Sequence, residues 1–433
     1  MTGRDGRSIL LVAQLSPPSS LVAARRVAGL TKYLARLGFS VTVLTSAVSG
    51  SGSIEGAEHV FRTGDLLATP LNWRRRHFEA LGGETRGVYS SPSKLESLIV
   101  PDLALAGWVP FALSRAARLA RGGRFDYVLT SSPPQSAHLV GVALRRQGTC
   151  WIAELRDGWT FEPPRRPWPT AVQRRLDERI ERAVLGRADA VVAVTQPIVD
   201  DLRSRLRIDA TLVTNGFDPE EFTAATHDGA TPLARDRFSI VHTGRMALAG
   251  STPGPLLAGL RELRSAHPKV ANRVEVVFAG PLSTQESEAL SAPDLRGLVR
   301  TVGSLDRPRA LALQRSADAL IVITEGARRR SVATGKLFEY LAAGPPILVL
   351  GAETEAARIV EEVGAGYVTS ADDPDAIAEA ISSLVDADRL ERAETSVLSR
   401  YSWGELGHRY AALIDSICAG DATPGPGRKH EGS

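Results

Sequence analysis

Short, nearly continuous apolar runs alternate with amphipathic stretches along most of the chain. A first series reads "SILLVAQ" (8–14), "SVTVLTS" (40–46), "YVLTSS" (127–132), "CWIAELR" (150–156) and "AVVAVT" (190–195). A second reads "SIVHTGR" (239–245), "EVVFAG" (275–280), "VRTVGS" (299–304), "ALIVIT" (319–324) and "PILVLG" (346–351). Between them, 22–37, 136–147, 254–266 and 374–386 carry helical amphipathic spacing. Apolar strands separated by helices predict parallel sheets covered on both faces. Two such series predict an α/β chain with two Rossmann-like, doubly wound domains.

The series break at "TNGFDPEEFTAATHDGATPLARDR" (214–237), which is polar, turn-rich and poor in apolar residues. The expected organisation is a first domain over 1–218, a linker over 219–236 and a second domain over 237–399. A helix within 400–418 is expected to pack back toward the first domain, and the polar tail 419–433 to be disordered. Residues 47–107 are the least regular part and show little strand signal; they include the basic run "NWRRRHF" (72–78). Open α/β sheets bind ligands beyond the carboxyl ends of their strands, so two facing sheets place the site in a cleft between domains.

Composition narrows this picture. With 433 residues, each domain can bury a real core. The 43% hydrophobic and 23% charged fractions are those of a soluble globular chain. No apolar run is long enough to cross a bilayer, and no signal-peptide cleavage site is evident. Cys150 and Cys418 are far apart in apolar contexts, so a reducing cytoplasm is expected rather than a disulfide framework. The net charge of +3 gives no reason to expect nucleic acid. Lysine occurs only at Lys32, Lys94, Lys269, Lys336 and Lys429. Coding bias toward arginine explains most of that skew and makes Lys336 more notable.

The turns after the strands hold the candidate chemistry. "QLSPPSS" (14–20) puts Ser16 and Ser19 where free backbone amides could meet an anion, although ordinary helix capping also uses these residues. "DYVLTSSPPQSAHLVGVALRR" (126–146) repeats the pattern with Ser132. "WIAELRDGWTFEP" (151–163) ends a buried strand in Glu154, Arg156 and Asp157, followed by Trp159. Such charges are paired or used. An Arg156–Asp157 structural pair and a substrate-facing Asp157 both fit. "VHTGRMALAG" (241–250) sets Gly244 and Arg245 at a strand tip, where glycine permits close approach and arginine offers a fork for phosphate.

"SVATGKLFEYLAAGPPILVL" (331–350) reads as a helix, a sharp turn and a buried strand. Lys336 and Glu339 share a face beside an apolar one formed by Leu337, Tyr340 and Leu341. Beside a helix N-terminus Lys336 could meet a phosphate, while Glu339 could accept from two ribose hydroxyls. An exposed ion pair of a few tenths of a kcal/mol is the plainer alternative. The acidic spacing in "ADDPDAIAEAI" (371–381) reads as helix capping. No His/Cys cluster has zinc spacing, and no G-x-x-x-x-G-K-[ST] occurs.

Together these segments resemble the GT-B glycosyltransferases, in particular the retaining family-four enzymes that use nucleotide sugars. The likeness runs over nearly the whole chain. "RRVAGLTKYLARLGFSVTVLT" resembles the family's first helix and second strand, with Arg26 at its recurrent arginine. The region from "VPDLALAGW" through "SSPP" to "RDGW" is similar to one subgroup. "VTNGFDPEEF" resembles the hinge, "HTGRM" the donor loop and "GKLFEYLAAGPPI" the lysine–glutamate segment.

The resemblance implies two Rossmann-like domains facing across a cleft and transfer from a UDP- or GDP-linked sugar without a metal or other cofactor. Arg245 and Lys336 would neutralise the donor diphosphate, beside Gly244 and Leu337. Glu339 would hold the ribose, and Gly303, Ser304 and Leu305 would lie against the base. Asp157 falls where the family often has a histidine facing acceptor and donor sugar. The acceptor is assigned to the first domain, with Ser16, Ser19, Ser132 and Trp159 as its contacts. The expected acceptor is a small molecule, as in natural-product biosynthesis; a surface or lipid-linked glycan is the alternative, with 72–78 leaning on an anionic membrane. A silent nucleotide-sugar-binding protein is the rival from another class. Two departures stand out. Ser331 occupies the position of the family's second glutamate, and Gly250 that of the lysine after the donor loop.

Overall fold

The computed structural model describes residues 7–19, 22–65, 107–123, 125–162, 168, 170–224, 232–246, 252–324, 329–387 and 395–418. The basic run 72–78, Gly250 and the tail 419–433 lie outside the described residues. The chain divides into a first unit, Met1–Thr214 with Leu406–Ser433, and a second, Asn215–Glu405.

The first unit holds seven strands among the described residues. They are β1 (Ser8–Ala13), β2 (Ser40–Ser46), β3 (Ala57–Thr63), β4 (Tyr127–Ser132), β5 (Cys150–Leu155), β6 (Ala190–Ala193) and β7 (Ala210–Leu212). Their order is β3-β2-β1-β4-β5-β6-β7, and every pair is parallel. The order reverses between β1 and β4, which opens a crevice at their carboxyl ends. β1 and β4 are buried throughout, as their unbroken apolar runs require. β3 and β7 are the edges. β3 reads "AEHVFRT" and is partly exposed along its length, so it carries no apolar run to announce it.

Arg26 organises this unit from helix Val22–Arg36. Its Nε donates to Glu154 Oε1 at 2.9 Å, Nη1 to the Thr214 carbonyl at 2.7 Å and Nη2 to the Val213 carbonyl at 2.9 Å. Tyr410, from helix Trp403–Cys418, accepts from Arg26 and donates to Glu154, whose other oxygen accepts from Ser131. Arg26 is 1% and Glu154 0% exposed. Burial alone would raise the Glu154 carboxyl, but the Arg26 charge and the hydrogen bonds from Arg26, Ser131 and Tyr410 hold it below the usual range. So the first of the three charges ending β5 is paired. The second, Arg156, donates to the carbonyls of Ser132 (3.0 Å) and Pro133 (2.7 Å).

His138 is another buried titratable group of this unit. Its Nδ1 lies 2.8 Å from Thr130 Oγ1, and its ring stacks on Trp159 with centroids 6.0 Å apart. Burial, aided by the charge of Arg156 and opposed by that of Glu154, pushes its pKa down to about 3.

The second unit repeats the architecture with β8 (Phe238–Thr243), β9 (Val274–Ala279), β10 (Val299–Gly303), β11 (Ala319–Ile323), β12 (Ile347–Leu350) and β13 (Gly366–Thr369). The order is β10-β9-β8-β11-β12-β13, again all parallel, with the switch between β8 and β11. One apolar cluster, including Leu337, Phe338 and Tyr340, covers one face; another, including Leu257, Leu260 and Ile377, covers the other. The described part of the stretch expected to link the domains is packed into this unit. Phe217 meets Phe222 edge-on at 6.3 Å, and Arg315 donates to the Phe222 carbonyl at 2.9 Å. Phe217 also exchanges backbone hydrogen bonds with Tyr401 and Trp403. Two aromatic side chains supply the apolar contact that the polar composition concealed.

Glu154→Gln leaves Arg26 buried and without its counter-charge, and is expected to destabilise the first unit by about 3–5 kcal/mol in denaturant titration. Acid has a related effect. His138 binds its proton in the unfolded chain near pH 6.5 but in the folded one only near 3. Stability is therefore full above about 6.5 and falls as pH drops toward 3. Thermal unfolding from pH 7 to 4 should show this loss, with a shallower slope in His138→Gln.

Candidate functional site

The carboxyl end of β8 and helix Gly335–Ala343 build one constellation. After Thr243 the chain turns at Gly244, which has φ +80°. The Gly244 N–H donates to the Ala279 carbonyl at 2.7 Å. A Cβ at residue 280 would lie 2.5 Å from the Gly244 carbonyl oxygen, so Gly280 lets the two strand ends close together. Arg245 follows with its side chain exposed.

The helix is fixed against this turn through Tyr340, whose buried hydroxyl accepts from the Thr243 N–H at 2.7 Å. Thr243 Oγ1 lies 3.2 Å from the same hydroxyl and accepts from Gln314 Nε2 at 2.8 Å. Burial pushes the Tyr340 phenol well up, so it stays neutral. One turn earlier, Lys336 is half-buried. Its Nζ donates to the Arg245 carbonyl at 3.0 Å and sits 2.9 Å from His242 Nε2. Burial, then the Lys336 charge, drives the His242 pKa far below its ordinary value. The ring is therefore neutral and accepts from the ammonium. Thr334 precedes the helix in an extended conformation and gives its first turn no side-chain cap. The helix's positive end, Lys336 and Arg245 thus converge at the switch point, an arrangement suited to a phosphate.

Glu339 is 5% exposed, and its Oε2 accepts from Arg307 Nη1 at 2.8 Å. Arg307 also pairs with Glu221 at 2.5 Å. Glu339 thus stands in a buried network with Arg307, which sequence pattern alone did not indicate. Asp306 caps the helix that begins at Arg307. Gly303 (φ +72°) and Ser304 are exposed just before that cap, and Leu305 packs against the cluster containing Leu337. The loop 303–305 is therefore brought beside Glu339 through Arg307 and Leu305. The Leu337 side chain is wholly buried, so its expected donor contact could only come through its backbone. Ser331 is buried at 6% exposure.

The predicted acceptor residues of the first unit are more dispersed. Ser132 is fully buried, its Oγ donating to the Glu154 carbonyl at 3.2 Å. Asp157 is half-buried just beyond β5, before a turn in which a Cβ on Gly158 would collide with the Phe161 carbonyl. Trp159 is 4% exposed and donates its indole N–H to Asp177 at 2.8 Å. It is a core side chain; an aromatic residue after a strand looked available only because its partner lies 18 residues away. Ser16 is buried and accepts from Arg62 at 3.1 Å, whereas Ser19 is half-buried. Arg62, His242 and Arg307 were not anticipated. A polar residue inside an apolar strand run was the available signal for His242.

Among the described residues no group of three His, Cys, Asp or Glu side chains is placed to hold a metal ion. No described helix is long and apolar enough to cross a membrane.

This fold and site define a two-domain GT-B protein. Residues 23–216 match the family described as "Glycosyl transferase 4-like domain" and residues 238–387 that described as "Glycosyl transferases group 1". The chain belongs to the family-four-like GT-B glycosyltransferases. Sucrose-phosphate synthase from Thermosynechococcus elongatus has a similar structure, with a TM-score of 0.67 at 17% identity, over 96% of this chain and 100% of that one. A UDP-forming α,α-trehalose-phosphate synthase from Burkholderia xenovorans gives 0.66 at 15% identity, over 94% and 100%. These likenesses concern the fold. A phosphatidyl-myo-inositol mannosyltransferase from Mycolicibacterium smegmatis is 25% identical over 228 residues, 51% of this chain. The match spans 56% of that relative's length.

If the neutral His242 holds the Lys336 ammonium in place, His242→Phe should displace it. Nucleotide affinity measured by calorimetry is then expected to fall about tenfold, the scale of one charge-assisted contact. Tyr340→Phe instead orphans the buried Thr243 amide and should destabilise the second unit by about 1–3 kcal/mol in a denaturant melt.

Proposed function

We propose that the protein is a retaining glycosyltransferase that takes its sugar from a UDP- or GDP-linked donor. The carrying observation is the convergence of Lys336, the Arg245 loop and a helix N-terminus at the carboxyl end of β8. A nucleotide diphosphate bears charge that grows as the sugar leaves, and preorganised cations and amides are what stabilise it. Glu339 would accept from the ribose on the lone pairs that Arg307 leaves, with 303–305 against the base.

In the transfer step the bond between the sugar's anomeric carbon and the diphosphate oxygen breaks, and Arg245 and Lys336 take up the charge. A donor phosphate oxygen accepts the proton of the acceptor, which bonds to the anomeric carbon on the face just vacated. Configuration is retained. Asp157 orients the acceptor or sugar from the first unit. Positive charge from side chains and helix serves the part a metal would otherwise play.

Of the acceptor classes, a glycan or lipid-linked molecule has more support than a small natural product. The observation that favours it is the likeness to a protein named for mannosyl transfer to phosphatidyl-myo-inositol. A silent donor-binding protein remains the contrasting reading, with Ser331 in the place of the family's second glutamate as its motive.

A panel of UDP- and GDP-sugars, assayed for binding and for hydrolysis or transfer, separates the two. Turnover is expected, and Arg245→Ala and Lys336→Ala should each lower it by roughly 10²–10³-fold with the fold intact. Unchanged rates in both variants would overturn the site; nucleotide binding with no turnover would favour the silent reading.

A further inference from the structure

A cavity of about 390 Å³ lies between the end of β3 and helix Val109–Gly122 of the first unit. Among the described residues its walls include Phe61 and Arg62 from the strand and Phe111, Arg115 and Arg118 from the helix. The spacing 111, 115, 118 places the last three on one helical face. Trp108 fixes that face to the strand. Its indole is fully buried and donates to Thr63 Oγ1 at 2.8 Å.

The charge in this cavity is unbalanced. Arg62 donates to Ser16 Oγ (3.1 Å) and to the carbonyls of Pro17 (2.7 Å) and Gly52 (3.0 Å), all neutral. Arg115 lies 4.1 Å from the centre of the Phe61 ring, and Arg118 donates to the Ser114 carbonyl of its own helix. Among the described residues none of the three meets a carboxylate. Elsewhere arginines routinely do: Arg145 pairs with Asp189, Arg205 with Glu181 and Asp201, Arg300 with Glu275. Burial also depresses the Arg62 guanidinium, as expected of a cation without a counter-charge.

Three forked donors around one space outnumber the two oxygens of a carboxylate. They suit a phosphate, which offers three terminal oxygens and nearly two negative charges. The two phenylalanine rings offer apolar surface beside it. We propose that this cavity binds a phosphate-bearing molecule, with Arg62, Arg115 and Arg118 taking its oxygens and Phe61 and Phe111 covering the adjoining apolar part. A soluble phosphomonoester and a phospholipid headgroup share this chemistry. The inference does not rest on the sugar-transfer reading, because binding is read without turnover.

The full-length protein is titrated with glycerol 3-phosphate by calorimetry and sedimented with phosphatidylcholine vesicles with and without phosphatidic acid. Binding of the soluble probe alone identifies a phosphomonoester site, and phosphatidate-dependent sedimentation alone a headgroup site; both together fit either source. In each case Arg115→Gln/Arg118→Gln should weaken binding by about tenfold or more, and the Lys/Lys pair should recover part of it, since charge returns without the fork. Arg118 is exposed, so Arg118→Gln alone gives the same reading if the double variant unfolds. Binding of neither probe, or binding that the variants leave unchanged, overturns the proposal.

Discussion

The buried ion pair between Arg26 and Glu154 is the constraint on which the first unit is built. A parallel sheet buried on both faces offers its strand ends little water, so a carboxylate inside β5 needs a cation brought to it. Arg26 does this from the first helix and uses its other donors on carbonyls at 213 and 214, where the chain leaves the unit. One guanidinium therefore sets the helix, the central sheet and the segment after β7 against each other. The second unit solves its equivalent problem without charge. There a neutral phenol, Tyr340, accepts the amide that ends β8 and aligns the helix beside it.

Much of this was legible in the chain. Buried central strands announce themselves because both of their faces must be apolar, and β1, β2, β4, β5, β8, β9, β11 and β12 lie where the apolar runs stand. Edge strands do so less well, since one side meets solvent: β3, β7 and β13 carry polar or very short sequences, while β10, the other edge, still stands at the run 299–304. The same distinction runs through the site. The positions of Gly244 and Arg245 at a strand end and of Lys336 at a helix start could be read because these are local features. Arg307 beside Glu339, and Asp177 beneath Trp159, could not, because a salt bridge or hydrogen bond between distant segments leaves no periodic trace.

Cations held by neutral acceptors keep their charge for something else, whereas a carboxylate partner spends it. Arg62 rests on a hydroxyl and two carbonyls, whereas Arg26 is matched to Glu154. In an arginine-rich chain, the identity of the acceptor says more about a cation's role than its exposure does.

The membership of Leu406–Ser433 in the first unit has a topological consequence. The second unit is an insertion in the first: it is one contiguous segment, while its host is closed, among the described residues, by helix Trp403–Cys418. Tyr410 reaches Arg26 across 384 residues of sequence. During synthesis the unit that begins first is thus completed last, and its central ion pair waits for that phenol until the whole second unit has left the ribosome. A chain cut short before residue 406 would contain every described strand of both sheets and still lack the phenol that joins Arg26 and Glu154.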